Sequence, residues 1–172
     1  YLVRPVRPRS FYDRLFAGSE SRSRPPEPAA REAGAPLRVL VAEDNEINAL
    51  ILLRTLERQG SQAVWARNGQ EALALAESAL RGEIEPFDLL LLDVRMPHLD
   101  GLEVARRIRA AELETEPHRR LPIIGISANV AESDVTSARQ AGMDDCLPKP
   151  LDRQRLFAWL DRIAGQNSRK VA

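Results

Sequence analysis

Acidic residues stand directly after two apolar segments of this sequence. Asp93 comes directly after residues 87–92, which are a nearly continuous apolar run, and Glu43 and Asp44 come directly after residues 37–42. A strand that is apolar on both faces belongs in a covered parallel sheet, where the working groups lie at the carboxyl ends of the strands. Three carboxylates at one edge repel each other unless they share a cation. An all-oxygen ligand set with open positions indicates Mg²⁺.

Two further polar residues follow later apolar segments. Ser127 comes after residues 122–126, and Lys149 comes shortly after residues 145–147. A core strand gains nothing from ending on a charge or a hydroxyl. We therefore expect these side chains to meet Asp93 at the same edge of the sheet, where the lysine offsets part of the acidic charge.

The elements that must position these residues alternate along the chain. Apolar runs bounded by turn residues predict five strands, and apolar residues at helical spacing predict five helices. Such alternation is typical of an α/β fold, a doubly wound five-stranded parallel sheet with helices on both faces. The predicted strands are residues 37–42, 62–66, 87–92, 122–127 and 145–147, and the predicted helices are residues 46–59, 70–81, 101–111, 132–141 and 152–164.

The composition argues against several classes of function. Lys and Arg number 25, as do Asp and Glu, so the net charge is zero and no overall field attracts nucleic acid or an anionic membrane. No apolar run reaches the roughly 20 residues needed to span a bilayer. The single cysteine, Cys146, excludes an internal disulfide framework and fits a reducing compartment. We expect a cytoplasmic protein with neither nucleic acid nor direct membrane contact.

The first 36 residues differ in composition from the rest. Residues 17–36 are rich in Pro, Ser and Gly and predict a flexible linker, because such a stretch buries too little apolar surface to offset the entropy of ordering it. We expect one domain over residues 37–165 and a polar tail over residues 166–172. The chain begins without Met, which indicates a piece of a longer protein.

Several short motifs, in this order and at this spacing, resemble those of the receiver (response-regulator) domain of two-component signalling. They are VAEDNEIN at residues 41–48, LLDVRMP at 91–97, DG at 100–101, ISA at 126–128 and KP at 149–150. The match covers about residues 37–164. The EDNEIN run and the NGQEA segment at residues 68–72 are most similar to the C-terminal receiver of a hybrid sensor histidine kinase. The resemblance implies a flavodoxin-like strand order 2-1-3-4-5.

The resemblance also implies transfer of a phosphoryl group from phosphohistidine onto Asp93. A carboxylate with a pKa of about 3.9 is already ionised at pH 7 and needs no base to act as a nucleophile. By the same resemblance, Asp44, Asp93 and the backbone carbonyl of Arg95 bind Mg²⁺ directly, and Glu43 acts through water. Glu43 stands where the family more often has Asp, and its longer reach could alter metal affinity.

Phosphate-binding and switch roles follow from the resemblance for Ser127, Lys149 and Ala128. The Ser127 hydroxyl is expected to bind a phosphoryl oxygen. The Lys149 ammonium group would stabilise charge on the transferring group, and the bond between Lys149 and Pro150 is expected to be cis. Cys146 occupies the place of the family's usual switch aromatic. We therefore expect a muted switch.

The first predicted helix carries more apolar residues than one core-facing stripe needs. Ile47, Leu50 and Leu53 recur at three-residue spacing and are predicted to form an exposed docking patch beside Asp93. The partners that the resemblance implies are the dimerisation helices of a histidine kinase, a histidine-phosphotransfer protein, or both. We expect the chain to be a monomer or a weak dimer.

The N-terminus contains a short internal repeat. Residues 1–11 can be laid over residues 146–156, with Arg4 in the place of Lys149. Residues 1–16 are therefore interpreted as the C-terminal remnant of a preceding receiver. That receiver would be degenerate, because Arg does not simply replace a lysine that contacts phosphate as a point charge. Hybrid kinases with two successive receivers fit this arrangement.

Two other interpretations are open. A free-standing single-domain response regulator would carry the same motifs, although the tail over residues 166–172 is too short for a DNA-binding module. An aspartate-based phosphatase would need a second aspartate where Arg95 stands, and a flavin binder would need a Gly-rich loop after the first strand. We therefore expect a phosphoacceptor with slow self-dephosphorylation, from a parent protein that is a histidine kinase.

Overall fold

A computed structural model of the chain describes residues 36–115, 119–128 and 131–170. Five strands alternate with five helices in these residues, as the sequence predicts. The strands are β1 (Arg38–Ala42), β2 (Gln62–Ala66), β3 (Leu89–Asp93), β4 (Ile123–Ser127) and β5 (Asp145–Pro148). The helices are α1 (Glu46–Arg58), α2 (Gly69–Leu80), α3 (Gly101–Glu114), α4 (Glu132–Gln140) and α5 (Arg153–Lys170).

The five strands form one parallel sheet in the order β2-β1-β3-β4-β5. This confirms the predicted doubly wound α/β fold and its strand order. β3 pairs with β1 through Val41 opposite Leu91, and with β4 through Asp93 opposite Ile126. All five residues of β3 are buried, because the strand lies in the middle of a sheet that is covered on both faces.

The core lies in two layers, one on each face of the sheet. Leu90 and Leu92 of β3 belong to a cluster with residues of α2, α3 and α4, whereas Leu89 and Leu91 belong to a cluster with residues of α1 and α5. Successive side chains of a strand point to opposite faces of a sheet. Burial of each of these leucines contributes roughly 1.5–3 kcal/mol, so the apolar run of β3 stabilises both layers.

Side-chain caps determine where three of the helices begin. Asn45, Asn68 and Asp100 have extended backbone and accept hydrogen bonds from backbone N–H groups in the first turns of α1, α2 and α3. Such N–H groups have no partner within the helix itself. Asn45 directly follows the acidic pair after β1, so the cap of α1 also holds that loop.

The last helix is longer than predicted. The prediction ended it at residue 164 and assigned residues 166–172 to a polar tail, but α5 continues to Lys170. Gly165 lies inside the helix and does not end it. A single glycine costs a helix only about 1 kcal/mol relative to alanine, and no proline follows to stop the helix.

Some predictions concern residues that the structure does not describe. The proposed remnant over residues 1–16 lies outside the described residues, and so does the predicted linker except for Pro36, which is exposed.

None of the described helices combines the length and the apolar character that a membrane crossing requires.

Arg109 of α3 ties together the edge of the sheet opposite the acidic residues. Its guanidinium donates to the carbonyl oxygens of Leu121 and Gly142 and to the carboxylates of Glu112 and Asp144, at 2.6–2.9 Å. These acceptors include the segments that lead into β4 and β5. Charge-assisted hydrogen bonds of this kind are about twice as strong as neutral ones. The network therefore fixes where β4 and β5 begin. The starting residue of each strand in turn sets which residues lie at the carboxyl edge of the sheet, beside the acidic residues.

Gly101→Ala is expected to destabilise the fold. A Cβ atom at residue 101 would collide with the backbone of Asp93 and Val94, which cannot move aside as a flexible side chain could. The free energy of unfolding, measured by urea titration, should fall by roughly 1–3 kcal/mol.

Gly165→Ala is the matched control for this prediction. Nothing lies within 4 Å of a Cβ atom at residue 165, which is an exposed position of α5. Alanine there should raise the free energy of unfolding by about 0.5–1 kcal/mol. If Gly101→Ala were stabilising to a similar extent, α3 would not approach β3 as closely as the structure has it.

Candidate functional site

Three acidic side chains meet at the carboxyl edge of the sheet. Glu43 and Asp44 follow β1, and Asp93 ends the neighbouring strand β3. One carboxylate oxygen of each residue lies within 4.8 Å of those of the other two. Glu43 and Asp93 are only 1% and 5% exposed, whereas Asp44 is exposed. The structure therefore brings together the three carboxylates that the sequence analysis singled out.

The ammonium group of Lys149 lies between two of these carboxylates. Its Nζ atom donates to Oε2 of Glu43 at 2.7 Å and to Oδ2 of Asp93 at 2.6 Å. The backbone N–H of Lys149 donates to the carbonyl of Ser127 at 2.7 Å, and the peptide bond between Lys149 and Pro150 is cis. One side chain from the end of β5 thus joins the ends of β1 and β3.

The carboxylate of Asp93 is held from two sides. Its Oδ1 atom accepts a hydrogen bond from the backbone N–H of Arg95 at 3.0 Å, and its Oδ2 atom accepts from Lys149. Gly101 lies against the Asp93 carbonyl, at a distance that only a residue without Cβ allows. The backbone N–H of Arg95 and the ammonium group of Lys149 therefore fix the direction of the Asp93 side chain.

Asn48 is a residue of the site that the sequence analysis missed. Its Nδ2 atom donates to Oε1 of Glu43 at 3.0 Å, while Lys149 donates to the other oxygen, Oε2. Both carboxylate oxygens of Glu43 are thus engaged within the protein. The signal that could have identified Asn48 is its amide side chain in the first turn of α1, a helix that is otherwise rich in apolar residues.

Burial and neighbouring charges shift two pKa values in the site. Loss of solvent raises the pKa of the Asp93 carboxyl, although the hydrogen bonds from Lys149 and from the Arg95 N–H oppose the shift. Burial by itself would lower the pKa of Lys149, but hydrogen bonds and charges from Asp93 and Glu43 outweigh it and raise that pKa. The ammonium group therefore stays charged at neutral pH. With every acidic group ionised, the three carboxylates and the ammonium group carry two excess negative charges.

The donor set fits a hard divalent cation. Magnesium prefers oxygen ligands and usually keeps several waters, and a charge of +2 would neutralise the excess negative charge of the site. Asp44 and Asp93 offer carboxylate oxygens for direct contact. Glu43 is the most buried of the three acidic residues, and both of its carboxylate oxygens, like those of Asp93, already accept hydrogen bonds within the protein.

Comparisons with known proteins identify the family. Residues 39–161 match the response regulator receiver domain. The chain is 39% identical over 148 residues to the virulence sensor protein BvgS of Bordetella pertussis. That alignment covers 80% of this chain but only 12% of BvgS. The chain belongs to the response regulator receiver family.

Two solved structures show how far the likeness of this receiver extends. One is the receiver domain of sensor histidine kinase PA1611 from Pseudomonas aeruginosa, which has a magnesium ion coordinated in its active site cleft. Its sequence is 34% identical to this chain, and the two structures superpose with a TM-score of 0.62 over 76% of this chain and 99% of the PA1611 chain. The complex of the Saccharomyces cerevisiae histidine phosphotransfer protein Ypd1 with the receiver domain of Ssk1 gives a TM-score of 0.68 at 26% identity, covering 78% of this chain and 92% of that one.

In this receiver, Ser127 is the last residue of β4 and Ala128 follows it at the acidic edge. Ser127 is only 4% exposed, whereas Ala128 is exposed. The register pairs Ile126 with Asp93, so Ser127 is the next residue along the strand beside the carboxylate. These positions place a hydroxyl and an exposed backbone segment at the same edge as Lys149.

Cys146 lies in β5, three residues before Lys149. Its side chain is 4% exposed, and a Cβ atom on Gly125 would lie 3.5 Å from its sulfur. Burial, together with the charge of Asp145, raises the pKa of the Cys146 thiol. The thiol is therefore protonated at neutral pH and packs as a small apolar group.

The exposed apolar surface of α1 differs from the prediction in one residue. Ile47 and Leu50 are 70% and 55% exposed, but Leu53 is half-buried and packs against the cluster formed with α5. Ile51, at 50% exposure, completes the surface instead. Residue 51 is about one helical turn from residue 47, whereas residue 53 points ~120° away from it around the helix. We call Ile47, Leu50 and Ile51 the α1 patch.

Asp93→Asn is expected to stabilise the metal-free receiver at neutral pH. The pKa of Asp93 is higher in the folded state than in the unfolded state, where it is about 3.9. Protonated Asp93 therefore stabilises the fold fully below about pH 3.9, and this stabilisation is lost as the pH rises through the folded-state pKa. The free energy of unfolding of Asp93→Asn, relative to wild type, should therefore increase as the pH is raised from about 4 to about 7 in EDTA.

Asp100→Asn is the control for this pH series. Asp100 is the exposed cap of α3, and asparagine caps helices as well as aspartate does. Its free energy of unfolding should follow that of the wild type across the series. A stabilisation by Asp93→Asn that shrinks as pH rises would show that the pKa of Asp93 is not raised.

Proposed function

We propose that this chain is the phosphoacceptor receiver of a hybrid histidine kinase. It accepts a phosphoryl group from phosphohistidine onto Asp93 and passes it to or from a phosphotransfer partner. The observation that carries the proposal is the contact of the Lys149 ammonium group with both Asp93 and Glu43, beside the third carboxylate of Asp44. The small share of BvgS that the chain spans, 12%, supports an origin within a longer sensor kinase.

Asp93 is the proposed nucleophile. One of its carboxylate oxygens forms a bond to phosphorus while the bond from phosphorus to the imidazole nitrogen of the donor breaks, and the imidazole leaves with the electron pair. The ionised carboxylate needs no general base. The hydrogen bonds from the Arg95 N–H and from Lys149 orient Asp93 in advance, so less entropy is lost in reaching the reactive geometry.

We propose that Asp44, Asp93 and the backbone carbonyl of Arg95 bind Mg²⁺ and that Glu43 contacts it through water. A bound magnesium ion supplies stabilisation of the negative charge on the phosphoryl oxygens. Lys149 supplies a second positive charge that is already in place. The magnesium ion in the active site cleft of the PA1611 receiver supports this choice of metal.

Ser127, Ala128 and Lys149 are the proposed phosphate-binding residues. The Ser127 hydroxyl and the backbone N–H of Ala128 would donate to phosphoryl oxygens on one side, and the Lys149 ammonium group, just before the cis bond to Pro150, would do so on another. Cys146 has no ring to move into the space that an inward-moving Ser127 would leave. We therefore propose that the structural response to phosphorylation is muted.

The α1 patch is the proposed docking surface for a phosphotransfer partner. It begins close to Asp44, because the cap residue Asn45 joins the acidic loop to α1. Exposed aliphatic residues on one helix face suit a helical partner such as a histidine-phosphotransfer protein or the dimerisation helices of a kinase. The complex of Ypd1 with the Ssk1 receiver supports such pairing.

The remaining assignments concern the setting of the receiver. We propose a cytoplasmic receiver over residues 37–165 that is a monomer or a weak dimer and binds neither nucleic acid nor membrane. The balanced charge and the buried thiol of Cys146 support this. We further propose that residues 1–16 end a preceding receiver and that residues 17–36 link the two.

Acetyl phosphate with Mg²⁺ is expected to add the mass of one phosphoryl group to the wild-type chain and none to Asp93→Asn, as read by intact-mass spectrometry. Asp88→Asn is the matched control, because Asp88 is also buried and precedes the same strand at its opposite end. It should be labelled like the wild type. Label that persists on Asp93→Asn would move the phosphoacceptor to another residue.

Leu50→Glu is expected to slow phosphotransfer from a phosphorylated histidine-phosphotransfer protein by roughly tenfold or more, since a charge buried in an apolar contact costs more than 1.4 kcal/mol. Labelling by acetyl phosphate should be unchanged. Leu113→Glu serves as the control, because Leu113 is another exposed leucine, 78% exposed, on α3. Equal transfer rates for the two variants would remove the α1 patch from the docking surface.

A further inference from the structure

The indole group of Trp65, on the edge strand β2, is bonded to the acidic loop. Its Nε1 atom donates to the backbone carbonyl of Glu43 at 2.8 Å. The backbone N–H of Glu43 donates to the carbonyl of Ala66 at 3.2 Å. Two consecutive residues of β2 therefore hold both backbone polar groups of Glu43, and neither hydrogen bond involves its carboxylate.

The carbonyl that Trp65 holds belongs to the peptide unit between Glu43 and Asp44. A peptide unit is planar, so fixing its oxygen also fixes its N–H and the direction in which the chain enters residue 44. On the other side, Asn45 is held as the cap of α1 through hydrogen bonds to its side chain. Asp44 itself is exposed, and its carboxylate has no hydrogen bond to any residue that the structure describes. The direction of this carboxylate thus depends on its two anchored neighbours.

The ring of Trp65 is oriented in turn by Arg67. The Arg67 guanidinium lies over the ring, 4.8 Å from its centroid, which is a cation–π distance. The Arg67 backbone N–H donates to Oε2 of Glu71 at 2.7 Å, within the same turn that Asn68 caps. The start of α2 therefore holds Arg67, Arg67 covers Trp65, and Trp65 holds the acidic loop.

We propose that Trp65 is a positioning residue for the cation site. Its indole N–H fixes the peptide unit between Glu43 and Asp44, so that the Asp44 carboxylate faces the site before a divalent cation binds. A ligand on a loosely held loop must be ordered at the moment of binding, and that ordering lowers affinity. The proposal rests on the proposed function of the acidic cluster as a Mg²⁺ site.

Trp65→Phe keeps an aromatic ring beneath Arg67 and removes only the N–H donor. The dissociation constant for Mg²⁺, measured on the metal-free chain by NMR titration, is expected to rise about three- to tenfold, the range that corresponds to the loss of one hydrogen bond. The thermal unfolding midpoint in EDTA is expected to fall no further than that of the control variant below.

Trp159→Phe is that control, because Trp159 is the second of the two tryptophans and has matching surroundings. Its Nε1 atom donates to Oδ2 of Asp145 at 2.9 Å, and Arg162 lies 5.1 Å from the ring centroid. The same chemical change is thus made away from the acidic edge. The dissociation constant for Mg²⁺ should stay within about twofold of the wild type, as expected for independent sites.

Fluorescence gives a readout that does not depend on phosphotransfer. In Trp159→Phe, Trp65 is the remaining tryptophan, and its emission should change as Mg²⁺ is added. In Trp65→Phe, the emission of Trp159 should not change. Arg67→Ala provides a second variant if Trp65→Phe fails to fold. It keeps the indole N–H donor of Trp65 but leaves the ring less well oriented. It should therefore weaken Mg²⁺ binding by a smaller factor than the roughly three- to tenfold expected for Trp65→Phe.

A dissociation constant for Trp65→Phe within about twofold of the wild type would overturn the role of Trp65, and so would an equal weakening in Trp159→Phe. If Trp65→Phe does not fold, unchanged Mg²⁺ binding by Arg67→Ala would overturn it. A wild-type chain that binds no Mg²⁺ would instead overturn the proposed function of the site, which is a distinguishable result.

Discussion

The salt bridges from Lys149 to Glu43 and Asp93 join three strand ends that are far apart in the sequence, and the geometry of the acidic edge depends on them. The residues are 106 and 56 positions apart, and the bonds are 2.7 and 2.6 Å long. A buried carboxylate without a partner would cost several kcal/mol, and the ammonium group, together with Asn48 and the backbone N–H of Arg95, offsets that cost for Glu43 and Asp93. The contacts of Lys149 link the carboxyl ends of β1, β3 and β5.

Charged residues have different roles at the two ends of the parallel strands. At one edge, Arg109 is bonded to Glu112, Asp144 and two backbone carbonyls, and its guanidinium serves to hold segments together. At the other edge, burial raises the pKa of Asp93, and Asp44 remains exposed. Charge that is fully paired stabilises a fold, whereas charge that is left partly unpaired is available to a ligand.

The same contrast separates the two aspartates at the ends of β3. Asp88 is buried and accepts a hydrogen bond from the backbone N–H of Arg38 at 2.7 Å, which connects β3 to the start of β1. Asp93 is also buried but shares its lysine with a second carboxylate. Residue type and burial are nearly equal at the two positions, so the partners and the edge of the sheet give the two carboxylates different roles.

The sequence by itself determined the five strands, the five helices, and the meeting of Glu43, Asp44, Asp93 and Lys149, because apolar periodicity and the alternation of elements fix which strand ends share an edge. It did not determine that Ile51 rather than Leu53 is exposed, that Asn48 and Trp65 contact Glu43, or that α5 passes Gly165. Those features depend on the rotation of each helix about its axis and on side-chain directions between residues that only the folded chain brings together. Such directions carry no periodic signal in the sequence, and the packing of the tertiary structure decides them.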